Sequence, residues 1–323
     1  MGRRPHIVVI GSANTDMVVR VPRIPAPGET ILGGRFVMVA GGKGANQAVA
    51  AARMGAEVSF VGCVGDDAFG ERSLEGLRAE GIDVSACART ASHASGVALI
   101  AVDDHGQNAI VVAPGANMAM TNEIVDAAEP RLEAADCVIL QCEVPIPVVE
   151  HAAKRSKGMG KLVVLNPAPA SRLPASLLES VDILTPNESE AAALLGGTAD
   201  GIAEDAEHAA IALLARGPTC AVITLGSRGV VTGLVHDGVT RTSSPPGFAV
   251  EATDATAAGD CFTAALACIL AEPGFATASE IAPAELASAT RFAQAAAAVS
   301  VTRLGAQPSL PRRHEVEAFL AGH

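Results

Sequence analysis

The chain contains no tryptophan and no tyrosine, and aromatic residues make up only 2% of it. A ligand pocket built from it has no indole or phenol to stack on, so phenylalanine, aliphatic walls and main chain must serve. Long apolar runs are absent as well, since none approaches the roughly 20 residues that span a bilayer. The start, Met1-Gly-Arg-Arg-Pro-His, leads straight into a strand-like run without an apolar leader. These features predict a soluble, unexported protein of the cytoplasm. No block of basic residues occurs and the formal net charge is −12, which argues against nucleic acid or an anionic membrane as partner. The seven cysteines form no Cys-x-x-Cys pair, and their odd number reads as reduced packing thiols. Eight scattered histidines form no His-Glu-x-x-His helix, so no zinc site is expected.

What is present is an alternation. The 323 residues, 49% of them hydrophobic, suffice for one large domain with a smaller appendage. Short Val- and Ile-rich runs fall at 7–11, 58–63, 137–141, 162–166, 183–185 and 221–225. Between them lie helical patterns near 43–54, 67–80, 121–133, 147–157, 188–195 and 202–216, and the end is mostly helical at 257–271, 283–302 and 313–321. Near-continuous apolar strands separated by helices predict a three-layer α/β/α domain with a mostly parallel central sheet.

Two stretches break the pattern. Residues 15–40 carry β-like pieces at 17–21 and 30–39, and residues 96–113 read as a hairpin, 97–102 and 109–112, turning at 103–107. They are predicted to pair as a small antiparallel sheet that closes over the main one as a lid. The expected division is therefore a main domain of 1–14, 41–95 and 114–323, with a lid of 15–40 and 96–113. Such a sheet exposes an edge and an apolar face, with Val37, Val39, Val97 and Leu99 as its expected lining.

The most informative segment is Asp254-Ala-Thr-Ala-Ala-Gly-Asp260, which follows a strand-like run at 248–252 and opens an alanine-rich helix. Ala257, Ala258 and Gly259 have almost no side chain, so unpaired amides at the helix start can approach an anion. Asp260 adds a carboxylate in the same turn. Amides for a phosphate and a carboxylate for a hydroxyl proton are what phosphoryl transfer to an alcohol requires. An aspartate that merely caps a core helix fits the segment equally well.

Other candidates sit at strand ends, where open α/β sheets bind ligands. Asn14 and Asp16 follow the first strand as hydroxyl ligands or as a solvated turn. Gly41-Gly42-Lys43-Gly44-Ala45-Asn46-Gln47 opens a helix without Walker A spacing. Its glycines admit close approach, with Lys43 and Asn46 as donors. Asp67 is expected to cap the helix after it. Glu143 follows a strand as a ligand or a cap. Asn187 and Glu190 share a helical face as oxygen ligands for hydrated Mg²⁺, as a capping box, or as both. Thr224 to Gly229, with Gly226, Ser227 and Arg228, forms a glycine turn suited to phosphates.

Taken in order along nearly the whole chain, these segments resemble the ribokinase family of carbohydrate kinases. The Gly-Gly-Lys-Gly-Ala-Asn-Gln-Ala run, Asn166-Pro-Ala-Pro-Ala and Gly305-Ala-Gln-Pro-Ser are more like ribokinases than fructokinases or adenosine kinases. The resemblance implies ATP-dependent phosphorylation of D-ribose at O5. Asp260 would be the base and Ala257, Ala258 and Gly259 the anion hole. Asn14, Asp16, Gly42, Lys43, Asn46, Glu143 and Asp260 would bind the sugar. Asn187, Thr224, Gly226, Ser227, Arg228, Gly229, Gly259 and Gln294 would bind ATP. It further implies Mg²⁺ through water at Glu190, K⁺ in a loop formed by Asp254, Thr256, Ser300, Arg303, Gly305 and Ser309, and a homodimer through the small sheet. Ala255 and Cys261 replace residues that are usually Thr, Gln294 stands where His is common, and Thr15 stands where a smaller residue is usual. A related kinase acting on deoxyribose, fructose or a nucleoside, and a catalytically silent sugar or nucleotide sensor, remain open. A dinucleotide-binding dehydrogenase fails for want of a G-x-G-x-x-G after the first strand.

Overall fold

The computed structural model describes residues 4–105 and 107–323; residues 1–3 and Gly106, the latter inside the predicted 103–107 turn, lie outside the described residues. Eight strands form the main sheet. From one edge they are Val239–Ser243, Val230–His236, Cys220–Thr224, Ile183–Leu184, Leu162–Asn166, Cys137–Gln141, His6–Ile10 and Glu57–Val61. The first two junctions are antiparallel and the other five parallel.

Strand residues alternate between two cores. Ile7 and Val9 face one and Val8 and Ile10 the other, and the same split divides Cys137 and Ile139 from Val138 and Leu140. All eight are buried, which is why these strands read as unbroken apolar runs. Helices Lys43–Arg53, Ala258–Ala271 and Pro283–Val301 cover one face, while Ile146–Gly158 and Ala206–Leu214 cover the other.

Local chemistry interrupts several expected elements. The 121–133 pattern divides into Asn122–Ala127 and Glu129–Ala134, the second with Pro130 in its first turn, where a missing N–H is tolerated. The 202–216 pattern breaks at Asp205, which caps Ala206–Leu214 by accepting from the His208 N–H at 3.2 Å. The 58–63 run ends at Val61 and resumes as Cys63–Gly65, paired parallel with Ala88–Thr90. Residues 248–252 are not a strand; most of them instead wall a cavity.

The small sheet has the order Phe36–Gly41, Asn14–Arg20, Gly96–Val102, Asn108–Ala113. Its outer junctions are antiparallel, but the central one is parallel, with Asp16 opposite Ala98. This corrects the expectation of a wholly antiparallel sheet. Each half is a hairpin, and the halves meet through their first strands, which start side by side at Asn14 and Gly96. Strand alternation also splits the expected apolar lining. Val97 and Leu99 share a face with Met17 and Met38, whereas Val37 and Val39 lie on the face of Asp16. Phe36, Met38, Leu99 and Val111 are all exposed.

Asp67 caps helix Ala68–Ala79 as expected, accepting from the Gly70 N–H at 2.8 Å. It also accepts from the N–H and hydroxyl of Ser95, at 2.8 and 2.7 Å, tying that helix to the strand that enters the small sheet. Asp67→Ala should destabilise the protein by about 2 kcal/mol, the upper end for a lost cap, read as a shifted urea midpoint. A loss below about 0.5 kcal/mol, within the scatter of surface substitutions, would count against it.

Candidate active site

Parallel strands deliver side chains at their carboxyl ends, and there a cavity of about 710 Å³ opens. Its wall includes Asn187, Glu190, Thr224, Gly226, Ser227, Gly229 and Gln294, together with Ala257, Ala258, Gly259 and Asp260. Lys43 reaches it from the opposite side. Arg228 does not line it. That guanidinium donates to the Ala203 carbonyl at 2.9 Å and lies 3.4 Å from Glu188, because the turn Gly226–Arg228 points it toward the neighbouring helices.

Helix Ala258–Ala271 begins at the cavity. Ala257, its N-cap, adopts a left-handed conformation, with φ 62°, which is uncommon for a residue with a Cβ. The Ala258 N–H is already bonded to the Ala255 carbonyl at 3.2 Å, so it is not aimed at a ligand. Gly259 faces open space, since a Cβ built on it would meet no atom within 4 Å.

Asp260 is 4% exposed and held from two sides. Its Oδ2 accepts from Asn46 Nδ2 and its Oδ1 from Gln47 Nε2, both at 3.0 Å. Burial pushes its carboxyl up from the ordinary value, against the opposing pull of Lys43 and these two amides. Asp16 is pushed up to about 6, by burial first and then by Glu143 and Asp260. Burial works against the charge on Lys43, yet Asp260, Glu143 and Glu190 outweigh it and hold the ammonium above its usual value.

The glycine-rich loop makes this cluster possible by close packing. Gly42 has φ 88°, and a Cβ there would stand 2.7 Å from the Asn14 nitrogen. A Cβ on Gly44 would stand 2.6 Å from the Ser12 nitrogen. The loop therefore lies directly on the segment between strands His6–Ile10 and Asn14–Arg20, with Gly41 packed against the Asp16 carboxylate. Glu143 is anchored to the same place, accepting from the Ser12 hydroxyl at 2.5 Å and the Lys43 N–H at 3.0 Å. Asn14 accepts from Asn117 Nδ2 at 2.7 Å.

Ser12, Gln47 and Asn117 were not singled out by sequence reasoning. One signal for Gln47 was available: Asn46 and Gln47 are adjacent amides in a helix that, between Lys43 and Arg53, is otherwise Gly, Ala and Val. A buried helix must find partners for both.

Asn187 and Glu190 form a complete capping box. The Glu190 N–H donates to Asn187 Oδ1 at 2.8 Å, and the Asn187 N–H donates to Glu190 Oε2 at 2.9 Å. Glu190 still lines the cavity, with lone pairs left for a water-mediated contact.

Asp254 organises a separate loop beside the helix start. Its Oδ1 accepts from the N–H and hydroxyl of Thr256, and its Oδ2 from the Gly305 N–H at 2.9 Å. Ser300 and Ser309 donate to the Ala297 and Ala306 carbonyls, each at 2.8 Å, and Arg303 pairs with Glu315. Among the described residues, no group of three or more His, Cys, Asp or Glu side chains is placed to hold a metal ion, and no helix is long and apolar enough to cross a membrane.

A model of the pfkB family carbohydrate kinases matches residues 4–313. The chain belongs to the pfkB family of carbohydrate kinases. Among pfkB relatives, the ribokinase of Haemophilus influenzae is 42% identical, over 98% of this chain and 99% of that one. The ribokinase of Bacillus subtilis is 39% identical over the same shares. The structure of Arabidopsis thaliana ribokinase complexed with ribose and ATP aligns with a TM-score of 0.85 at 33% identity, covering 98% of this chain and 99% of that one. The α/β/α domain with a separate small sheet is the architecture of this pfkB kinase.

Asp16 generates a stability prediction. Its native value near 6 lies above the 3.8 of an unfolded carboxyl, so stability falls as pH rises from about 4 to 6. Above that window the ionised group costs up to about 3 kcal/mol, at 1.36 kcal/mol per unit. Asp16→Asn should therefore stabilise the ligand-free protein at pH 8 and do little at pH 4, measured by urea unfolding. Equal gains at both values would show that Asp16 is not strained by its charge.

Proposed function

We propose that this kinase transfers the γ-phosphoryl group of ATP to the 5-hydroxyl of D-ribose. The observation that carries the reading is Asp260, a buried carboxylate at a helix start, lying where the cavity meets Lys43, Asp16 and Glu143. Asp16, Asn14, Asn46, Glu143, Lys43 and the Gly42 main chain would hold the sugar hydroxyls and turn O5 toward Asp260. Thr224, Gly226, Ser227, Gly229, Asn187 and Gln294 would hold the nucleotide. Arg228 would contribute through its main chain, its guanidinium being committed elsewhere.

Asp260 would accept the hydroxyl proton as the oxygen attacks phosphorus. In a loose transition state the proton leaves late, so a carboxylate is an adequate base. The amide of Gly259, at the positive end of the helix dipole, would stabilise charge on the equatorial oxygens, an effect of about 3–4 kcal/mol for a well-placed donor. Mg²⁺ bound with ATP would neutralise developing charge on the phosphates, and Asn187 and Glu190 would face it through water. The Asp254 loop would take K⁺ through main-chain carbonyls and the Ser300 and Ser309 oxygens, since both Asp254 carboxylate oxygens already brace the loop.

The small sheet, residues 15–40 and 96–113, would close over the sugar and exclude water. Its exposed Phe36, Met38, Leu99 and Val111 would be covered in a homodimer. Val111→Asp should shift the mass in solution from dimer to monomer, by light scattering; a wild type that is already monomeric removes the dimer. The absence of membrane spans and basic blocks and the unpaired thiols suit a cytoplasmic enzyme.

Asp260→Asn should lower turnover by at least 10²–10⁴-fold, the usual contribution of a general base, while D-ribose affinity stays within a few-fold. Coupled ADP release with ATP·Mg²⁺, in K⁺ and in Na⁺, against D-ribose, 2-deoxyribose, fructose and adenosine tests the substrate. Turnover on another acceptor would keep Asp260 and move the sugar assignment. No turnover on any acceptor would favour a silent sensor.

A further inference from the structure

Resting on the reading of Asp260 as base, we propose that Gln47 is a positioning residue for it, oriented from behind by Gln141. Gln47 is fully buried on helix Lys43–Arg53. Its Nε2 lies between two acceptors, Asp260 Oδ1 at 3.0 Å and Asn166 Oδ1 at 3.2 Å. Its Oε1 accepts from Gln141 Nε2 at 2.6 Å.

The direction of each amide in this chain is dictated by its far end. Asn166 Nδ2 donates at 2.9 Å to the Thr185 carbonyl, which only accepts. Asn166 must therefore present its oxygen to Gln47, and Gln47 its NH₂ to both Asn166 and Asp260. The Gln47 oxygen then requires a donor, and Gln141 supplies it. Every polar hydrogen in the chain is turned so that one N–H of Gln47 points at the base. Gln141 Oε1 is left buried without a partner. It lies against Gly11, in the space that a Cβ there would fill.

The donor acts against a crowd of like charge. Around Asp260 stand Glu143, Glu190 and Asp16, with Lys43 as the cation and Cys261 adjacent in the chain. Without the Gln47 donor, Asp260 Oδ1 loses the hydrogen bond that favours its ionised form and restrains its rotation, while Asn46 remains on Oδ2. The carboxyl then holds its proton to higher pH, and a protonated Asp260 cannot accept one from the substrate.

The test uses Gln47→Met and Gln141→Met, which keep bulk and remove the amide. Gln47→Met should lower kcat by about 10- to 100-fold, part of a general base's contribution, with KM for D-ribose within about threefold. The acid limb of the kcat–pH profile should move up by about one unit on loss of a donor to the charged form. Gln141→Met should shift both in the same direction by less. In parallel, the Asp260 carboxyl carbon of the ligand-free protein, labelled with ¹³C and assigned with Asp260→Asn, is titrated by NMR. An upward shift in the variants supports the inference whether or not any acceptor is turned over, so failure of the kinase reading is seen separately. A fall in kcat with neither the limb nor the NMR titration displaced would reduce Gln47 to a packing role and overturn the inference. If Gln47→Met does not fold, Gln141→Met decides by the same two readouts.

Discussion

One ammonium among four carboxylates governs this site. Lys43 faces Asp260, Glu143 and Glu190, and Asp16 is in turn raised by Glu143 and Asp260. The fold brings these groups together from five separate elements and leaves more negative charge among them than a single lysine can neutralise. Such a pocket favours a neutral ligand rich in hydroxyl donors, and it repels a triphosphate. The other half of the cavity has the opposite character, with glycine main chain and the start of helix Ala258–Ala271. Asp260 stands where the two halves meet.

The close packing of the glycine-rich loop follows from that requirement. Lys43 and Asn46 reach Asp260 with the start of helix Lys43–Arg53 lying against the end of the first strand. Gly42 and Gly44 allow this because there is no room for a Cβ at either. The expectation that the loop's glycines admit a ligand was reasonable from composition. In the structure Gly42 and Gly44 admit another stretch of the same chain, and that contact positions the side chains of Lys43 and Asn46.

What the sequence made legible was set by locality. Doubly buried strands and capped helices carry their evidence within a few residues, so the parallel sheet, the Asp67 cap and the Asn187–Glu190 box could be read directly. The parallel junction of the small sheet joins residues some eighty positions apart, and no local alternation encodes it. Residues 248–252 alternate like a strand, yet they have no neighbour to pair with and wall the cavity instead. The glycine turn of 226–229 was legible as a turn, but the direction of the Arg228 side chain depended on Glu188 and Ala203, which lie on other elements.

Gln141 shows why the amide chain behind Asp260 is better explained by chemistry than by stability. A buried oxygen without a partner costs roughly 1–3 kcal/mol, and leucine at that site would avoid it while filling similar space. Replacing Gln141 alone would, however, leave Gln47 Oε1 equally orphaned, and replacing both would remove a donor from Asp260. The unpaired Gln141 oxygen thus lies at the end of this amide chain away from Asp260. The chain of amides thereby fixes one N–H of Gln47 on Asp260 Oδ1, while Asn46, which holds Oδ2, keeps its own oxygen without a partner.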